Sequence, residues 1–134
     1  MWKYLILAAS IVLTGCTSTP KTIDELVGLN NSDSFTVESN YQETYRKIKS
    51  GFEGCGGFEA SMLRPMYVRS DLFTDIKEGR VAIYAKGGIA KSFIRISYLD
   101  DNHSKVDTFY QWKGNVGKET ETYKRWANGD MTCP

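Results

Sequence analysis

Residues 79–112 read GRVAIYAKGGIAKSFIRISYLDDNHSKVDTFYQW. Arg80 to Lys86 alternates with period two, placing Val81, Ile83 and Ala85 on one face. That period belongs to a half-buried strand. Gly87-Gly88 turns the chain, and Ser92 to Tyr98 forms the next strand. Asp100-Asp101-Asn102-His103 is a polar turn before a last strand from Val106 to Trp112. Turns this short between successive strands imply an antiparallel meander. Upstream, Tyr67–Arg69 and Leu72–Ile76 read as one bent strand, with Glu78-Gly79 turning the chain into the meander.

Two helices flank these strands. Phe35–Glu38 reads as a short strand, and Asn40 follows it with Glu43 three residues on, the spacing of a capping box. Tyr41, Tyr45, Ile48 and Phe52 then recur as one apolar stripe until Gly54, Gly56 and Gly57 end the helix. The second helix runs from about Gly117 to Asn128. Its apolar face holds Val116, Thr120, Tyr123 and Ala127, with Trp126 alongside and Gly129 just past the end. The expected architecture is α+β, in the order β-α-β-β-β-β-α, with four to five antiparallel strands and both helices on one sheet face. By element order it resembles the TATA-binding-protein-like and helix-grip arrangements and the small domains of BamC-like lipoproteins. That is a likeness of fold and carries no function across.

The amino terminus has a different character. Lys3 precedes an apolar run from Tyr4 to Leu13. A bilayer-spanning helix needs roughly 20 apolar residues, so the run fits the h-region of a secretory signal. Leu13-Thr14-Gly15-Cys16 follows at once and resembles the lipobox of bacterial lipoproteins. The resemblance implies cleavage before Cys16 and acylation of its thiol and freed amine. Two or three acyl chains make a lasting anchor, because each buried methylene contributes about 0.8 kcal/mol. Thr17 follows the cysteine. By the sorting pattern of such lipoproteins, a residue other than Asp implies the outer membrane, facing the periplasm. The expected organisation is a signal peptide over 1–15, a lipidated polar tether over 16–34 and a single domain over 35–134. Such a flexible tether would span about 25 Å root-mean-square, with one turn of helix expected where Thr22-Ile23-Asp24-Glu25 has the spacing of a capping box.

Removing 15 of the 134 residues leaves one domain's worth of chain. Lys3 is the only charged side chain lost, so 16 basic residues balance 16 acidic ones. No polybasic block remains, and a nucleic-acid partner is not expected. With Cys16 acylated, Cys55 and Cys133 form an even pair in an oxidising compartment, which points to a disulfide. By loop entropy such a link contributes about 4–5 kcal/mol. A structural zinc site wants four ligands; two thiols and the lone His103 do not supply them.

Chemistry-bearing motifs are sparse. The glycines of GFEGCGGF (residues 51–58) fall at a helix carboxyl end, the wrong pole for a phosphate. His103 sits among Asp and Asn residues that favour turns for backbone reasons. No nucleophile, paired-carboxylate or dinucleotide signature is present. No cofactor, metal or enzymatic activity is expected.

The aromatics Phe73, Tyr84, Phe93, Phe109 and Trp112 exceed what one helix-covered face would hold. Alternation sends some of them to an open face, where an apolar patch would mark a binding surface, unless loops cover them or the register is off by one. The expected function is a non-enzymatic lipoprotein module that binds a protein partner at the cell envelope. The alternative is a small-ligand or cell-wall-fragment binder that uses the concavity between sheet and helices. A deep pocket would favour the alternative, and a flat aromatic face the first reading.

Overall fold

The computed structural model describes residues 19–55 and 66–134. Cys16 and the apolar run before it lie outside the described residues, as do Gly56 and Gly57. In chain order the elements are α1 (Ile23–Gly28), β1 (Ser32–Val37), α2 (Tyr41–Gly54), β2 (Met66–Phe73), β3 (Glu78–Ala85), β4 (Ile89–Asp100), β5 (His103–Tyr110), a 3-10 turn (Lys113–Asn115) and α3 (Val116–Ala127). The protein is α+β. Among the described residues five strands form one antiparallel sheet in the order β1-β5-β4-β3-β2.

Alternation sorts the sheet's side chains. Val81 and Ile83 of β3, Ile94 and Ile96 of β4, and Val106 and Tyr110 of β5 are buried under α2 and α3. The α2 stripe Tyr41, Tyr45, Ile48 and Phe52 meets them, together with Tyr123, Trp126 and Ala127 of α3. Asn40 caps α2 by accepting the Glu43 amide at 2.9 Å. Gly129, at φ 92°, closes α3 in the left-handed conformation that glycine adopts freely. The two helices meet closely at Gly51, where any Cβ would overlap the Trp126 ring.

A disulfide joins Cys55, at the end of α2, to Cys133, beyond α3, with 5.4 Å between Cα atoms. The tail is held as well: Trp126 Nε1 donates to the Thr132 carbonyl at 3.2 Å.

The structure departs from expectation at the last strand, which runs from His103 to Tyr110 and leaves Gln111 and Trp112 outside it, and in two further places. The turn between β2 and β3 is Thr74–Lys77, with Lys77 at φ 52°, and Ile76 is exposed rather than in a strand. Gly79 lies inside β3, where a Cβ would come 2.7 Å from Tyr45 Cδ2. Glycine is needed there for the approach of α2, not for a turn.

The larger departure is the segment expected to be a tether, which is folded from Pro20 onward. Thr22 and Glu25 form a complete capping box. They start a helix whose Leu26 is fully buried on the sheet face opposite α2 and α3, against Ala82, Ala90 and Phe93. Ala90 N–H donates to the Pro20 carbonyl at 2.9 Å, and Tyr110 N–H to the Asn31 carbonyl at 2.8 Å. Both ends of the segment are thereby fastened to the sheet.

Candidate ligand cavity

The aromatics singled out in the sequence do not form one surface. Phe93 is 5% exposed beneath α1, so it is no part of an interaction face; the two small residues Ala82 and Ala90 beside it let the helix settle on it. Phe109 stacks on Phe93 at 5.9 Å between centroids and lies 5.5 Å from the Arg95 guanidinium. Phe73 is half-buried, 4.8 Å from the Arg80 guanidinium. Tyr84 stacks on Tyr67 at 5.3 Å. Trp112 stands apart from these four, 58% exposed, at the edge of a cavity on the helix side.

That cavity has a volume of about 290 Å³, near the lower end for small-molecule sites. Phe52 of α2, Ile83 and Ala85 of β3, and Met66 of β2 supply its apolar wall. Tyr123 and Glu119 of α3 close the opposite side, and Lys91 and Ser92 of β4 complete it beside Trp112 and Asn115. A break in strand register builds the polar edge. Ile83 pairs with Ser92 and Tyr84 with Ala90, which leaves Lys91 as the extra residue of a bulge. Bulges re-aim side chains, and Lys91 Nζ lies 5.8 Å from the centre of the Trp112 ring.

Glu119 is the acidic residue among the described lining residues. Its Oε2 accepts from the Ser92 hydroxyl at 3.2 Å and the Tyr123 hydroxyl at 3.3 Å. Burial raises its carboxyl above the ordinary range, while the two hydroxyls act in the opposite direction. Burial also drives the Tyr123 phenol well above its usual value, and pushes Tyr110 up to about 12. The Tyr110 hydroxyl pairs with Thr120 at 2.6 Å. These phenols therefore stay neutral and serve as hydrogen-bonding groups, so the cavity sets an acceptor, Glu119, and a polar edge of Lys91, Ser92 and Asn115 against the apolar wall of Phe52, Met66, Ile83 and Ala85.

His103 lies at the far hairpin, paired with Asp100 at 2.8 Å. Backbone donation from Asn102, and then His103, lowers the Asp100 carboxyl. This is local turn chemistry, remote in the sheet from the cavity residues Ser92 and Ile83.

Sequence reasoning passed over Glu119 and Lys91. The first carried a signal: a carboxylate at position 119 interrupts the apolar stripe formed by Val116, Thr120 and Tyr123. The second carried none, because a bulge hides from strict alternation. No family profile matches the chain, and no curated protein matches it.

Proposed function

We propose that this chain is a lipoprotein of the bacterial outer membrane, anchored through Cys16, whose periplasmic domain binds a small, mainly apolar ligand carrying a hydrogen-bond donor. The observation behind the ligand is the cavity itself: apolar on most sides, with the half-buried Glu119 carboxylate as an acceptor and Trp112 at its edge. A buried polar group leaves its hydrogen-bonding capacity costly to waste, and a donor on the ligand would use what Ser92 and Tyr123 leave free. The reading is one of binding and not of catalysis.

The folded segment before β1 changes what lipidation would mean. With the Pro20 carbonyl bonded to β4, four residue steps separate it from Cys16. At about 3.3–3.6 Å per residue they reach at most about 14 Å, so the domain would lie against the membrane.

Two measurements test the proposal. Radiolabelled palmitate should enter the wild-type protein and not Cys16→Ser; equal labelling would remove the anchor. A panel of small aromatic and aliphatic amines, titrated by NMR, should shift the resonances of Ile83 and Tyr123. Binding should weaken about tenfold in Glu119→Gln, the size of a lost charge-assisted hydrogen bond. An absence of shifts across the panel would end the ligand reading. A protein partner would then take its place, favoured by the Tyr67–Tyr84 pair on the α1 side, where Tyr67 is 51% exposed.

A further inference from the structure

The sheet has two edges, and they are not alike. At the β1 edge the strand is six residues long and opens with exposed Ser32, Asp33 and Ser34. Short, polar edges discourage pairing with other chains. At the β2 edge the strand is eight residues long, holds an unbroken register against β3 and contains no proline. Tyr67 and Val68 are exposed there. Among the described residues nothing pairs with its outer side.

We propose that β2 pairs antiparallel with β2 of a second copy of this chain, about a two-fold axis through Ser70. The sequence of the strand is complementary to itself in this register and in no neighbouring one. A two-fold axis perpendicular to the sheet must pass through a residue and its twin, since opposed residues share a face. Centred on Ser70, Arg69 faces the partner's Asp71, Val68 faces the partner's Leu72, and Tyr67 faces the partner's Phe73. Each pair occurs twice, and opposed aromatic, aliphatic and opposite-charge residues are the stabilising cross-strand pairs. Centred one residue earlier, Arg69 would face its own twin; one residue later, Asp71 would. Like charges directly opposite destabilise pairing. Within one copy Arg69 and Asp71 already lie side by side at 3.4 Å. Pairing across the axis would extend that contact into a four-charge row at the seam, on the face that carries Tyr67 and Phe73. The dimer would carry one continuous sheet with the helices of both copies on the same side. The inference does not depend on the ligand reading.

The test uses the full chain in cells, with a cysteine in place of Ser70 and, separately, of Ser34 on the opposite edge. A short bismaleimide should trap Ser70→Cys as a homodimer at least about tenfold more than Ser34→Cys, with a single-maleimide reagent confirming that each thiol reacts. In the Ser70→Cys background, Arg69→Asp or Asp71→Arg alone puts like charges opposite each other and should reduce trapping about tenfold. The double swap restores opposite charges and should restore the dimer. Equal trapping at both edges, a Ser70→Cys product joined to another protein, or single swaps without effect would each overturn the proposal.

Discussion

One face of the sheet carries two helices of fourteen and twelve residues, stapled by a disulfide. The other carries a helix of six. The long helices announce themselves by periodicity. Isolated helices shorter than about 12–15 residues are marginal in water, so α1 owes its existence to what it touches. Leu26 fills a shallow site floored by Ala82, Ala90 and Phe93, and the backbone bonds at Pro20 and Asn31 hold the segment in place. The difference separates two ways of covering a sheet: a large interlocked layer, and a small one held chiefly by its ends.

If the helix layer is the main source of stability, Trp126→Ala should be the most damaging of these changes. Loss of a large buried aromatic costs about 3–5 kcal/mol, read as a fall in urea midpoint. Next, Cys55→Ser with Cys133→Ser should cost about 3 kcal/mol, below the loop-entropy figure because the unfolded chain retains structure of its own. In the unaltered protein, alkylation without reduction should leave both cysteines unlabelled; labelling of either would show the staple to be absent. Leu26→Ala tests the smaller layer. A cooperative α1 predicts a loss of about 2 kcal/mol in global unfolding. An unchanged midpoint with faster exchange of the Ala90 amide would show instead that α1 opens on its own.

The smallest effect concerns charge in the helix layer. The Glu119 carboxyl is raised in the folded state by burial, so the native protein binds that proton more tightly than the unfolded chain. The stability this contributes is complete below the ordinary carboxyl value and is lost as pH rises through the raised one. Glu119→Gln should therefore stabilise the protein at pH 7 by about 1 kcal/mol, with the gain vanishing in acid. A pH-independent difference between the two proteins would show that the carboxylate is not desolvated.

The meander, both long helices and the Cys55–Cys133 pair were legible because each has a period, a cap or a parity that a linear string records. The α1 layer was not. TSTPKTIDELVGLNNSDS, residues 17–34, is polar in composition, and its capping box marks a helical turn without showing where that turn docks. Its partners Ala82 and Ala90 are small residues far along the chain, and their role appears only when the sheet is assembled. The cavity was half legible. Trp112 could be singled out as a surplus aromatic, but Lys91 depends on a bulge and Phe52 on the angle at which α2 crosses the sheet. The aromatic count was sound; the face to which each ring belonged needed α1.

The disulfide has a consequence for how this protein would be dismantled. Strands β2 to β5 and α3 lie between Cys55 and Cys133. A protease that cuts any one exposed turn within that span, such as Thr74–Lys77 or Gly87-Gly88, leaves a chain that is severed yet still a single covalent body, with its strands in register. The fragments separate only where a reductant is also present, so removal of the domain takes two agents acting together.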